Sequence, residues 1–317
     1  MSNSMRLIVD PPTFQPSPYG LLTVVDPRPS TDPHWQMGVT YVDTCGGMGV
    51  TLDACTTSAP GITGTGSIPA KAATTTRSFW GATPFTVFAE VDCSPVDFYE
   101  RREEVMRQAL NRFETFQVER TFWTGLAPER NNSGGQANGV FPHLAANAAT
   151  VEGVSSGNIG PAITLQQAAT VPTGAALNVV DALGALEAAL ATCLNGTGTI
   201  HVPQALAPTL ALLLTKQGNR LITPNGNTIA IGAGYPGTSP SGTAPALGTA
   251  WMYATGPVFM YRGEPDMYLL DGAAPVNRSI NTVKAIIERT YLLGYDCCLF
   301  AQLVNTASFI ATSTGTP

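Results

Sequence analysis

The run Asp97–Thr124, DFYERREEVMRQALNRFETFQVERTFWT, decides how the rest of the chain is read. Counted through Arg130, it holds 13 of the charged residues in a protein that has only 16 basic and 22 acidic ones. Ser94 suits an N-cap, Pro95 suits the first helical turn, and Gly125 closes the segment. Met106, Ala109, Leu110, Phe113 and Phe116 recur at helical spacing with charges between them. The spacing predicts one helix of roughly 40 Å at 1.5 Å per residue. Its apolar stripe is expected to lie under a sheet, with Phe113 at the centre. Such a rod is too long for the interior of a domain this size and suits a spine on which other elements are hung.

The flanks are the opposite of the spine: poor in charge and rich in Gly, Thr, Ala and Pro. Over 317 residues the charged fraction is 12%, about half the usual quarter of a soluble domain. The hydrophobic fraction of 44% is ordinary, so much of the surface is Thr, Ser, Gly, Ala and Asn. That composition suits a subunit whose surface is covered by neighbours. A net charge of −6 leaves no basic footprint for nucleic acid, and three lysines make no polybasic membrane patch.

No stretch of about 18 uninterrupted apolar residues occurs, so no spanning helix is expected. The opening MSNSMRLIVDPP has one Arg, a short apolar run, an Asp and two prolines, which is not a signal peptide. A reducing cytoplasm follows as the expected compartment, with the six cysteines as free thiols. Cys45 and Cys55 flank a glycine-rich turn and could bridge on oxidation. Cys297 and Cys298 sit in an apolar run, where cysteine acts as a small hydrophobe.

Residues 1–44 read as an extended arm, since seven prolines fall between Ile8 and His34. Its length and lack of periodicity predict that neighbouring subunits, not its own, hold it in place. Residues 45–79 carry only Asp53, Lys71 and Arg77 as charges and are too long for an ordinary connection. Val50–Leu52 and Ala72–Thr76 permit a long hairpin there. Phe85–Val91 alternates as a strand and feeds the spine.

Beyond Gly125, a helix is expected over Asn178–Leu194 with a stop at Asn195-Gly196, and a strand over Thr199–Val202. A second apolar helix is expected over Pro203–Leu214, kinked at Pro208, then a strand over Thr228–Ile231. This alternation reads as a small α/β unit. Strands follow at Trp251–Tyr253, Val258–Tyr261, Met267–Leu270, Thr282–Leu293 and Leu299–Val304. The spine is expected to pack on the sheet they form, with the α/β unit inserted between the two halves of that domain.

Motifs for chemistry fail on context. Gly232-Ala233-Gly234-Tyr235-Pro236-Gly237 matches GxGxxG, but Thr238-Ser239-Pro240 cannot open the helix whose amides would meet a pyrophosphate. Gly153-Val154-Ser155-Ser156-Gly157 matches GxSxG, but Asn158-Ile159-Gly160-Pro161 forbids the helix of a nucleophile elbow. His34, His143 and His201 lie far apart with no ligand spacing and read as structural or surface residues. No catalytic, cofactor or metal residues are assigned, which favours a structural protein over an enzyme.

The order of parts resembles the major capsid proteins of tailed bacteriophages, the Hong Kong 97 fold. RSFWGATPFTVFAEVDCSP (Arg77–Pro95) resembles the returning arm of their extended loop, and VERTFWTG (Val118–Gly125) the end of their spine helix. GTAWMYATGPVFMYRGEP (Gly248–Pro265) and KAIIERTYLLGYDCCLFAQL (Lys284–Leu303) resemble their closing strands. The resemblance implies an α+β fold: 1–44 an N-terminal arm, 45–90 the extended loop, 91–135 and 251–317 the peripheral domain, and 136–250 the axial domain. It also implies hexamers and pentamers in an icosahedral shell of the virion, built in the host cytoplasm around non-specifically held double-stranded DNA. The expected partners are a portal, a decoration protein and, because prolines begin at Pro11 and leave no charged helical scaffolding segment, a separate scaffold. No membrane partner is implied. Lys71 is the one loop lysine, with Asn277 and Asn281 in the peripheral domain, and no crosslink is expected without an activating carboxylate. Two other readings stay open at this point: an encapsulin-type compartment of the same fold, and a hydrolase using Ser155.

Overall fold

The computed structural model describes residues 14–42, 79–125, 139–145, 150–152, 163–269, 276–277 and 282–306, apart from positions 16, 30, 94 and 297. The 50–52 and 72–76 hairpin, the Cys45–Cys55 bridge, Lys71, Ser155 and the Ser94 cap lie outside the described residues.

In chain order the arm carries α1 (Leu21–Val24), β1 (Asp26–Pro27), a short 3₁₀ turn at Pro33–Met37 and β2 (Val39–Val42). Then come β3 (Phe79–Ala82), β4 (Phe85–Cys93) and the spine α2 (Pro95–Thr124). After β5 (Thr150–Glu152) and β6 (Ile163–Gln166), α3 (Val179–Leu194) leads into β7 (Thr199–Pro203) and the short α4 (Ala207–Leu210). The remaining strands are β8 (Thr215–Gln217), β9 (Arg220–Ile222), β10 (Thr228–Gly232), β11 (Thr249–Thr255), β12 (Val258–Arg262), β13 (Asp266–Leu269), β14 (Val276–Asn277), β15 (Thr282–Tyr295) and β16 (Leu299–Asn305).

The spine ends as its sequence requires. Gly125 has φ +68°, and a Cβ there would stand 2.4 Å from the His143 ring, so glycine is demanded twice over. The buried face differs from the expected one. Met106, Leu110, Glu114, Val118 and Phe122 form the buried i, i+4 row, while Phe113 is 51% and Phe116 39% exposed. Phe113 therefore does not lie under the sheet. The reason is across the interface: Arg262, Arg289 and Tyr291 all reach Glu114, and that contact turns the helix.

Among the described residues, two six-stranded sheets flank the spine. In the first, β15 pairs along one edge with β12, β13 and β14 and along the other with β4, and β1 extends it beside β12. The second runs β16-β11-β7-β10-β9-β8, with β7 and β10 parallel. The closing strands do not stay together as expected. β12, β13 and β15 join the sheet on which α2 packs, whereas β11 and β16 join β7. The central strands of this second sheet, β11, β7 and β10, are buried on both faces. Ile200, Val202, Ile229, Ile231, Met252 and Ala254 face α3, and Ala230 and Tyr253 join the core beneath the spine. A strand buried on both faces is mostly apolar, as β11 and β7 are, and the buried polar exception at the middle of β7, His201, is hydrogen-bonded.

α3 matches its expected span, capped by Asn178 and stopped by Asn195 at φ +50°. The Pro203–Leu214 helix shrinks to a 3₁₀ turn at Gln204–Leu206 and the single turn of α4. Pro208 sits in the first turn of α4 and kinks nothing, and Leu212 beyond it is 84% exposed with no face to pack on.

Two further expectations are corrected. The described cysteines are not all free: Cys193 at the end of α3 is bonded to Cys298 beside β16. Both sulfurs belong to the core that α3 buries against the second sheet, so helix packing brings them together across 105 residues of sequence. The arm, over its described part, lies on its own subunit. Leu21, Val24 and Val25 fill the core beside α2, Pro27 pairs with Met260, and a four-stranded sheet β2-β3-β6-β5 ties Val39–Val42 to Phe79–Ala82.

Candidate functional site

The arm, the spine and the second sheet meet at one side chain. Glu119 is fully buried on α2. Its Oε1 accepts the Leu21 amide of α1 at 3.0 Å, and its Oε2 accepts the Gly234 amide at 3.0 Å. Glycines make both approaches. A Cβ on Gly20 would stand 2.8 Å from Glu119 Oε1, and one on Gly234 would stand 2.2 Å from the Phe116 carbonyl oxygen. Burial pushes the Glu119 carboxyl up to about 7, against the opposing pull of the Gly234, Leu21 and Ala233 amides.

The GxGxxG loop is thereby explained. It offers backbone N–H groups to an oxygen acceptor, as phosphate-binding loops do, but the acceptor is the protein's own carboxyl group. Gly232 is pinned by the Tyr235 ring, 2.6 Å from where its Cβ would be. Tyr235 stacks at a tilt on Trp123, 4.9 Å between centroids, and its hydroxyl lies 3.2 Å from His201 Nδ1. His201 Nε2 meets Thr255 Oγ1 at 3.0 Å. Burial pushes the His201 imidazole down to about 3 and that of His143 down to about 4. Both histidines are thus interior structural residues. His34 is exposed and pairs with Asp32, whose carboxyl is lowered by hydrogen bonds from the His34 backbone and ring. The structure brings none of the three histidines together, and among the described residues no group of His, Cys, Asp and Glu could hold a metal.

A second junction holds the spine to the first sheet. Glu114 Oε1 accepts from Arg262 Nε at 3.0 Å and Nη2 at 2.6 Å, from Arg289 Nη1 at 2.7 Å and from the Tyr291 hydroxyl. Periodicity missed both glutamates, because it reads charge as solvent-facing. The one signal for Glu114 was its fit to the i, i+4 row; Glu119 stands outside that row and had none.

Between the arm and the first sheet runs a groove of about 380 Å³, lined by Arg28, Tyr41, Phe259, Tyr261 and Asp296 among others. Among the described residues no helix is long and apolar enough to cross a membrane.

No protein-family model matches the sequence, and no curated protein is similar to it in sequence. Solved structures are similar over nearly the full length. The holo-SrpI encapsulin complex of Synechococcus elongatus PCC 7942 is 11% identical, covering 98% of this chain and 95% of that one with a TM-score of 0.50. A structure from Microbacterium phage Oxtober96 is 11% identical over 96% and 95% with a TM-score of 0.48. The capsid of an empty GTA particle is 12% identical over 96% and 94% with a TM-score of 0.47. Spine, two sheets and arm, matched over 98% of the chain by the structure of the encapsulin complex, give the chain an α+β fold of the Hong Kong 97 type.

Proposed function

We propose that this chain is the major capsid protein of a tailed bacteriophage, a structural subunit that assembles with copies of itself into a shell. The observation that carries the reading is the match of its backbone, over 98% of its length, to the solved holo-SrpI encapsulin complex. The charged fraction of 12% supports it, because a surface of Thr, Ser, Gly and Ala suits cover by neighbours. In this reading 1–44 is the arm, 45–90 the extended loop, 91–135 and 251–317 the peripheral domain and 136–250 the axial domain, with β11 and β16 crossing into the axial sheet. Hexamers and pentamers close an icosahedral shell in the host cytoplasm, aided by a scaffold, a portal and a decoration protein. Double-stranded DNA fills it without specific contacts, and a net charge of −6 lets DNA slide rather than bind by counterion release. The role is structural and not enzymatic.

The groove beside Arg28 and Asp296 favours one second reading, an encapsulin-type compartment, which needs a pocket for a short cargo peptide. Expression with the neighbouring genes of its source, followed by sizing, imaging and nuclease treatment, tests both. Megadalton shells that protect double-stranded DNA are expected. Shells that hold an enzyme and no DNA would favour the compartment, and a monomer or small oligomer under every condition would overturn both.

A further inference from the structure

The arm segment from Tyr19 to Val25 is fastened at few points, and the central one is a carboxyl group. Leu21 donates to Glu119 Oε1, Val25 donates to the Leu21 carbonyl at 3.0 Å, and Ile231 of β10 donates to the Tyr19 carbonyl at 2.8 Å. Gly20 and Gly234 bring two backbones against the carboxyl group from opposite sides with no side chain between. Among the described residues the joint has no counter-cation. From the 232–237 loop Tyr235 faces it, and behind Tyr235 stands His201 of β7. On the spine, the neighbouring Arg120 is exposed. On the arm, Leu21–Val25 has no titratable side chain, and Asp26 beyond it is exposed. Tyr235 is pushed up by burial and by the Glu119 charge, and His201 is held neutral by burial, so neither changes charge between pH 4.5 and 8.

We infer that Glu119 is a proton-operated latch on the N-terminal arm, closed over the neutral carboxyl and loosened when the group ionises. An ionised carboxylate sealed between backbones gives up its hydration, and lifting α1 restores water to it. The closed arm holds the group near 7, whereas an opened arm returns it toward its ordinary value of 4.5. The closed form therefore binds more protons between pH 4.5 and 7, so the carboxyl's contribution to closure is full below pH 4.5 and lost as pH rises through 7. Leu21, Val24 and Val25 still bury apolar surface when closed, so opening stays a minority event at every pH. The latch rests on the fold alone. Its use rests on the shell reading, in which a loosened arm becomes free to lie on a neighbouring copy.

Amide hydrogen exchange on the full chain at pH 5 and pH 8, corrected for intrinsic rates, tests it. The amides of Val25 and Ile231 report arm opening, and those of Leu190 and Ile200 report the α3 core. Linkage between 4.5 and 7 predicts that arm opening rises about 70-fold from pH 5 to pH 8. The α3 core should not follow, and E119Q should be flat. A wild-type ratio below about threefold, a change shared by every amide, or a ratio kept in E119Q would each overturn the latch. Should E119Q not fold, Gly20→Ala serves, since its Cβ displaces the arm from the carboxyl and hydrates it. Arm amides should then exchange fast at both pH values, and a wild-type ratio in Gly20→Ala would overturn the latch equally.

Discussion

Glu114 on the spine and Arg262 on β12 stand 148 residues apart in sequence and are joined through two nitrogens, at 3.0 and 2.6 Å. Arg289, with its side chain only 11% exposed, shares the same oxygen. Removing the carboxylate leaves a buried guanidinium without its counter-charge, which costs more than the pair itself contributes. Glu114→Ala should lower stability by about 3–5 kcal/mol in urea unfolding of the unassembled chain. A loss under about 1 kcal/mol would show that Arg289 finds water there.

Met106 and Phe113 test the face of the spine. Met106 is fully buried and Phe113 half exposed. Met106→Ala should cost about 2–5 kcal/mol by cavity formation. Phe113→Ala should cost under about 1 kcal/mol in the unassembled chain, since a substitution on an exposed face leaves little cavity. The reverse order would mean that the helix is rotated by a quarter turn from the face described.

Phe113 also marks how far the sequence could be read. The spine, α3 and the β4, β10, β12, β15 and β16 strands were legible because periodicity, a cap or a glycine stop is written within each segment. The rotation of the spine was not. From Leu110 the row can continue through Phe113 or through Glu114, and local hydropathy favours phenylalanine. Two arginines more than 140 residues away reverse that choice. Glu119 was hidden in the same way, since its partners are backbone amides with no side-chain signature. The division of the closing strands between two sheets was equally unreadable, because β11 and β12 look alike as alternating apolar runs and differ only in what covers them.

The Cys193–Cys298 bond closes a loop of 105 residues, from the end of α3 to the start of β16. No spacing motif joins two such cysteines. Constraint of so long a loop in the unfolded chain is worth about 2–5 kcal/mol. Oxidised protein should therefore lose that amount on Cys298→Ser or on reduction, and the two losses should not add. Full loss on reduction with none in the variant would place the sensitive bond elsewhere, and mass analysis of alkylated peptides would find it.

His201 and Glu119 pull the pH dependence of stability in opposite directions. Among the described residues the His201 ring nitrogens meet only hydroxyl groups, from Tyr235 and Thr255, so the neutral ring is satisfied and the charged ring is not. Burial holds it near 3 and His143 near 4, against an ordinary 6.5. Below pH 6.5 the unfolded chain takes up these two protons and the folded chain refuses them, so each histidine removes about 1.4 kcal/mol of stability per pH unit. Glu119 acts the other way between pH 7 and 4.5, since its folded form holds the proton that its unfolded form releases. Two histidines against one carboxyl leave a net of about one proton between pH 6 and 4.5. Unassembled chain should thus be most stable near pH 6.5–7 and lose about 1.4 kcal/mol per pH unit on further acidification. His201→Gln cancels one histidine, so the slope from pH 6 to 4.5 should fall to near zero, whatever the variant costs at neutral pH. A slope in that window as steep as the wild type's would mean that His201 is not the buried neutral ring that refuses the proton.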